Sequence, residues 1–311
     1  MTRDSVVVVG AAGFLGQACT KALVSAGMTV DAVDVVEASI EGVSSWTVAD
    51  VARDGVPGEL LARAGTLINF AWRNDPGRGN ADMAKDAQTN VAAAVRSFED
   101  AARAGVRRIV YPSSGGTIYG DNPPLPTPET APIRPVGGYG AGKAAAELYL
   151  HAIALAYGTQ TCALRIGNPY GPGQYPERGQ GFIATATART MVGTPIQIFG
   201  SAALARDYVY IGDVAEAFVR AVQIDELPPV LNLGSGMDRS LDELIPLIST
   251  AAGREPEIEY VPARRVDVPR VQLDITLIQQ TLGWRPTTSI EEGLQHTVKW
   301  IREAALGTHA N

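Results

Sequence analysis

The chain has 311 residues, 46% of them hydrophobic and 19% charged, with a formal net charge of −7. That length suits one large α/β unit or two closely joined domains. The mild acidic balance, with Arg107-Arg108 and Arg264-Arg265 only as isolated basic pairs, speaks against nucleic acid as the main partner.

Val6 to Val9 form an apolar run that predicts a buried parallel strand, and residues 14–26 predict a helix closed by Gly27. Between them lies Gly10-Ala-Ala-Gly13-Phe-Leu-Gly16. A glycine loop between strand and helix lets a pyrophosphate approach the backbone and rest on the helix N-terminus. Residues 29–35 predict a second strand that ends near Asp34, 24 residues past Gly10. A carboxylate there accepts hydrogen bonds from an unsubstituted ribose and repels a 2′-phosphate, so NAD is expected over NADP. A short third strand at 45–48 precedes Asp50-Val51, candidates for contact with the adenine; a solvated aspartate is the bland alternative.

Residues 66–71 predict a fourth strand, an alanine-rich helix follows at 85–104, and 108–112 predict a fifth strand. After it comes Tyr111-Pro-Ser113-Ser114-Gly115-Gly116-Thr117-Ile-Tyr119-Gly120, which puts three hydroxyls where a strand end meets the cofactor. The proline-rich stretch 123–135 predicts a loop. A helix is expected over 139–157, opening with Tyr139-Gly-Ala-Gly-Lys143. Tyrosine and lysine four apart share one helix face. An ammonium beside a phenol favours the phenolate, giving a proton donor and acceptor for hydride chemistry at an alcohol carbon. A sixth strand at 162–166 completes a βαβ alternation that predicts a doubly wound parallel sheet. Beyond Asn168 the pattern loosens, with helices expected near 182–192 and 241–252, as for a smaller mixed domain that lays substrate over the cofactor.

No apolar stretch reaches the ~18 residues of a membrane span, and no secretory leader is visible, so a cytoplasmic enzyme is expected. Cys19 and Cys162, each among apolar neighbours, are expected as buried free thiols, with neither a disulfide nor a metal site.

Six motifs in order carry a family resemblance: the Gly10 loop, the Ser113–Gly120 run, Tyr139 with Lys143, Arg165-Ile-Gly-Asn168-Pro-Tyr-Gly171-Pro172, Arg206-Asp207-Tyr-Val-Tyr-Ile-Gly-Asp213, and Asn232-Leu-Gly-Ser-Gly236. The chain resembles, over nearly its whole length, the extended short-chain dehydrogenase/reductases of the sugar-nucleotide epimerase/dehydratase group. The resemblance implies a Rossmann domain at 1–167, to which 205–235 returns, and a substrate domain made of 168–204 and 236–311. It implies cofactor contacts at Gly10, Gly13, Phe14, Leu15, Gly16, Asp34, Asp50, Val51, Ala71, Tyr139, Lys143 and Pro169. Asn168 would touch the substrate, and Arg206 with Arg264 or Arg265 would hold a nucleotide diphosphate, for which guanidinium forks are suited.

Two departures from the family pattern matter. The usual Ser or Thr four residues before the tyrosine matching Tyr119 is Gly115 here, so Thr117, or else Ser114, is expected to supply the hydroxyl. The Asp-Glu pair that follows it in 4,6-dehydratases is Gly116-Thr117, which leaves elimination without its acid and base. The expected activity is an NAD-dependent nucleotide-sugar 4-epimerase. The alternatives are an NAD(P)-dependent sugar dehydrogenase or 4-keto reductase, and a catalytically silent NAD-binding module. A homodimer is expected through the small faces Val91-Ala-Ala-Ala-Val95 and Ala144-Ala-Ala; the alternative is that these alanines pack only on their own sheet.

Overall fold

The computed structural model describes residues 4–73, 82–179, 181–263 and 268–307. Among these the strands are, in chain order, β1 (Ser5–Val9), β2 (Val30–Asp34), β3 (Ser45–Val48), β4 (Ala64–Asn69), β5 (Arg108–Ser114), β6 (Gln160–Ile166), β7 (Asn168–Tyr170), β8 (Ile196–Phe199), β9 (Ala205–Tyr210), β10 (Val230–Leu233), β11 (Asp238–Ser240) and β12 (Ile258–Val261). Seven of them form one sheet in the order β10-β6-β5-β4-β1-β2-β3, parallel at every pairing. Strand order reverses beside β1, because β2 and β3 extend one way and β4, β5 and β6 the other. The crevice at that reversal is where doubly wound sheets take their ligands.

The four valines of β1 show how sequence builds this layer. All are 2% exposed or less, as expected for a central parallel strand covered on both faces. Side chains alternate across a strand. Val6 and Val8 therefore join the core with Leu23, Phe218 and Trp284, while Val7 and Val9 join the opposite core with Leu61, Phe98 and Ile109. A third cluster around Tyr170, Ile183, Leu244, Ile248 and Leu294 underlies the smaller sheets, β11-β9-β7 and β12-β8.

Local departures from the sequence reading have identifiable causes. The fourth strand spans Ala64–Asn69, so Ala71 lies beyond its end. There the Asn69 side chain accepts a hydrogen bond from the Ala71 amide at 2.9 Å and turns the chain out of the strand. The helix expected at 85–104 begins at Met83 and passes through a π-helical turn at Ala87–Val91 before Ala92–Arg103. Asn90, within that turn, donates to Asp86 at 2.8 Å and accepts from the Arg73 amide at 2.8 Å. The fifth strand continues to Ser114, two residues past expectation, because its pairing with β6 persists to Ile166. The helices Ile211–Gln223 and Ile290–Gly307 and the β8–β12 pair were not anticipated from periodicity.

Candidate active site

The glycine loop sits at the carboxyl end of β1. Gly10 has φ 78°, and a Cβ there would lie 2.6 Å from the Ala71 amide nitrogen, so only glycine fits between the β1 and β4 ends. A Cβ on Gly16 would meet the Gly10 carbonyl oxygen at 2.0 Å. The helix Phe14–Ser25 starts at Gly13 with no side-chain cap and no acidic residue in its first turn. Its opening amides and partial positive charge are therefore left for an anion. This cradle fits a dinucleotide pyrophosphate. Phe14 approaches Gly173, while Leu15 packs toward the sheet core.

Asp34 ends β2 beside that loop. One carboxylate oxygen accepts from the Ala12 amide at 2.9 Å and the other from the Val36 amide at 3.3 Å. Its remaining lone pairs are placed for ribose hydroxyls. Asp50 caps the short helix Val51–Asp54, accepting from the Ala52 amide at 3.1 Å, and pairs with Arg73 at 2.7 Å. The Arg73 guanidinium, foremost among the causes, holds the Asp50 carboxyl below its usual range. The Val51 side chain is 6% exposed and belongs to the core, so only its backbone is offered to a ligand.

Tyr139 and Lys143 lie in the first turns of the helix Gly138–Tyr157. Lys143 is 4% exposed, and its Nζ donates to the Pro112 carbonyl oxygen at 2.9 Å. An ammonium has three donors, so others remain for a cofactor ribose. Burial pushes the amine down to about 7, with the Glu147 and Asp86 carboxylates acting against that fall. The Ser114–Thr117 loop abuts the start of this helix. A Cβ on Gly140, the residue after Tyr139, would meet the Thr117 carbonyl oxygen at 2.6 Å. Thr117 Oγ1 donates to Ser114 Oγ at 2.8 Å, so the two candidate hydroxyls form one linked pair.

The two departures in this loop have steric counterparts. A side chain on Gly115 would meet Leu273 Cδ1 at 2.7 Å and the Arg165 carbonyl oxygen at 2.9 Å; one on Gly116 would meet Asn168 Oδ1 at 3.2 Å. Asn168 is thereby brought to the hydroxyl loop. Pro169, next in β7, has its carbonyl oxygen bonded by Gln174 Nε2 at 3.3 Å. Arg206 lies on the same small sheet, with Nη1 donating to the Ala205 carbonyl at 2.9 Å. Arg264 and Arg265 lie outside the described residues.

Three features escaped the sequence reading. Arg239 on β11 stands directly opposite Arg206 on β9. Like charges so placed repel unless an anion lies between them, and only the strand register reveals the pair. Asp207 is 0% exposed and accepts from the Ser235 amide and hydroxyl at 2.6 and 2.7 Å, the Leu273 amide at 3.1 Å and the Gly236 amide at 3.2 Å. It fastens the Arg206 strand to the loop after β10; burial pushes its carboxyl up to about 6, against the pull of those donors. On the other side, the buried Arg165 pairs with Glu147 at 2.7 Å and donates to Tyr119 Oη at 2.9 Å. Tyr119 in turn donates to Asn232 at 2.6 Å, so the Tyr119 and Asn232 motifs are two ends of one network.

In the two small-residue runs Ala92 is exposed, and Ala93, Val95 and Ala145 are half-buried. Ala144 and Ala146 are 6% and 0% exposed and pack in the chain's own core. Leu148, Tyr149 and Leu155 are what the Tyr139 helix turns outward, at 67%, 53% and 76% exposure. Cys19 and Cys162 are buried free thiols, and burial raises both. Among the described residues, no helix is long and apolar enough to cross a membrane and no group of His, Cys, Asp or Glu is placed to hold a metal ion.

Comparison with known proteins matches residues 6–234 to the model of the NAD dependent epimerase/dehydratase family. The chain is 34% identical over 306 residues to UDP-glucose 4-epimerase of Mycolicibacterium smegmatis, covering 95% of this chain and 98% of that one. It is 30% identical over 311 residues to dTDP-4-dehydro-6-deoxyglucose reductase of Escherichia coli, covering 96% and 98%. Its fold matches the crystal structure of a Thermus thermophilus UDP-glucose 4-epimerase in complex with NAD, with TM-score 0.86 and 31% identity over 96% of this chain and 99% of that one.

Proposed function

From the premise that the chain belongs to the NAD-dependent epimerase/dehydratase family and uses NAD, we propose that it is a nucleotide-sugar 4-epimerase. The observation that carries this reading is the hydroxyl loop against the Tyr139 helix: together they offer a phenol, an ammonium and two linked hydroxyls, and the loop itself, residues 113–120, carries no carboxylate. Leu273 and Asn168 occupy the space in which side chains at 115 and 116 would project. Glu129 accepts from the Asn232 amide at 2.8 Å. Elimination of water needs an acid and base near the leaving group, whereas epimerisation needs one proton taken and returned at one oxygen.

The Gly10 loop and Asp34 hold the cofactor, which supplies a reversible hydride acceptor at the sugar's fourth carbon. Tyr139 as phenolate removes the proton from the hydroxyl there and gives it back after the sugar has turned over. Lys143 keeps a positive charge beside the phenolate and binds the nicotinamide ribose. Thr117, linked to Ser114, hydrogen-bonds the reacting oxygen. Asn168 contacts the sugar nucleotide from β7, and Arg206 holds its diphosphate, joined by Arg239 and by Arg264 or Arg265. In this reading the 205–235 segment belongs with the cofactor domain, and 168–204 with 236–311 forms the substrate domain. Leu148, Tyr149 and Leu155 supply the homodimer surface.

Incubation with a panel of UDP-, GDP- and dTDP-sugars, following both product and NADH absorbance, tests the reaction. An epimer that accumulates with only catalytic NAD is the expected result. NADH formed in proportion to product, or consumption of added reduced cofactor, replaces this reading with a dehydrogenase or a 4-keto reductase.

A further inference from the structure

Trp72 lies three residues past the end of β4. Its ring faces the Lys143 ammonium, with Nζ 4.2 Å from the ring centroid. Tyr111 presents a second ring to the same nitrogen at 4.7 Å, and Tyr139 a third at 5.8 Å. The indole also meets the Tyr139 ring edge-on, at 6.0 Å and 79°. The helix is notched to receive it: a Cβ on Gly142, between Tyr139 and Lys143, would meet Trp72 Cζ2 at 3.1 Å. On its other side the loop is tied down by the Arg73 amide on Asn90 and the Arg73 guanidinium on Asp50.

The indole's polar tip takes no part in this. Trp72 Nε1 is shielded from solvent and has no hydrogen-bond partner among the described residues. A buried tryptophan usually finds a partner for its N–H, so this ring is placed for what its face contacts. That face meets a cation that has left water for a site with one carbonyl acceptor, where ring quadrupoles contribute most. The titratable groups around the ammonium are Tyr139 and Glu147 on its own helix, Asp86 on the helix Met83–Asp86, and Tyr111 on β5.

We propose that Trp72 is a positioning residue for the proton-handling pair: its face, with Tyr111, keeps Lys143 charged and aimed beside Tyr139. The proposal rests on the reading of Tyr139 and Lys143 as that pair, but not on which nucleotide sugar is turned over. Without the indole face, the buried ammonium loses its proton more readily and Tyr139 loses its cationic neighbour.

Ultraviolet titration of tyrosinate on the purified protein, each Trp72 variant being compared with the same variant carrying Tyr139→Phe, isolates the Tyr139 signal without any substrate. Trp72→Leu is expected to weaken the Tyr139 ionisation constant about tenfold, in the range of a desolvated cation–π contact. Trp72→Phe, which keeps a ring face, is expected to restore most of it. Trp72→Met supplies the ring-free comparison if the leucine variant does not fold. With the preferred sugar nucleotide, kcat at neutral pH is expected to fall about tenfold for the ring-free variants and KM less than about threefold. An unmoved Tyr139 titration in a folded, NAD-binding ring-free variant overturns the proposal, as does a phenylalanine variant that shifts as far as leucine. Failure of every sugar nucleotide to react would instead refute the epimerase reading and leave the titration result standing.

Discussion

The Lys143 pocket and the Asp207 clasp each bury one ionisable group, and they treat it in opposite ways. Lys143 has one carbonyl acceptor and three aromatic faces. Asp207 meets four N–H and O–H donors between 2.6 and 3.2 Å. The anion is saturated, so it serves as a fastening that joins three chain segments. The cation is under-bonded, so it keeps donors for a ligand and a proton that responds near neutral pH. Saturation suits a group that holds the fold, and incomplete bonding suits one that is to meet a ligand.

The sharpest way to break that distinction is to remove a saturated partner. Glu147 and Arg165 form the fastening on the Lys143 side, with side chains 8% and 6% exposed. Glu147→Ala leaves a buried guanidinium unpaired, and is expected to cost about 3–5 kcal/mol in denaturant unfolding. A loss below about 1 kcal/mol would mean that water replaces the carboxylate and that the pair fastens nothing.

The two sites should also titrate in opposite senses. Asp207 has its carboxyl raised from 3.8 to about 6 in the folded chain. Its contribution to stability is thus full below about pH 4 and is lost as pH rises through 6, some 3 kcal/mol at ~1.4 kcal/mol per unit. Lys143 is depressed from 10.5 to about 7. Its contribution is present above about pH 10.5 and lost as pH falls through 7. Unfolding of wild type and Asp207→Asn compared across pH 4 to 7 should show the difference shrinking by that amount. A difference flat with pH would show that the four donors, rather than burial, govern the carboxylate.

Tyr139→Phe touches the other side alone. Turnover should drop at least about 100-fold, while NAD affinity and melting temperature stay near wild type. Near-normal turnover would make the phenol a packing group. The smallest effect separates the linked hydroxyls: Thr117→Ala is expected to lower kcat about tenfold and Ser114→Ala less, because Ser114 accepts the Thr117 proton in the pair. The reverse order would give the substrate contact to Ser114.

The sequence revealed most of what lies along single segments. The β1 valines, the Gly10 loop, Asp34 at a strand end, and Tyr139 with Lys143 on one helix face all follow from short-range periodicity and spacing. What stayed hidden depends on pairings between distant segments. Trp72 reads as an isolated loop aromatic until Gly142, 70 positions later, is found to make room for it. Asp207 looks like any strand aspartate until residues 235, 236 and 273 converge on it. The juxtaposition of Arg206 and Arg239 exists only in the antiparallel register of β9 with β11. The small-residue runs divide for a related reason: small residues fit a subunit interface or a helix on its own sheet equally well, and while Ala144 and Ala146 pack inward, Ala92 is exposed.

The bare backbone at Gly115 has a consequence for redesign of the loop. Leu273 and the Arg165 carbonyl stand where a side chain there would project. Leu273 is itself 0% exposed, anchored among Ile118, Val268 and Val271. A serine placed at 115 would meet both neighbours, one of them backbone that cannot swing aside as a side chain can. A hydroxyl at 115 demands a smaller residue at 273 and a retreat of the β6 backbone together. Packing therefore keeps position 115 bare, and the hydroxyls this loop can offer are those of Ser114 and Thr117 on either side of the two glycines.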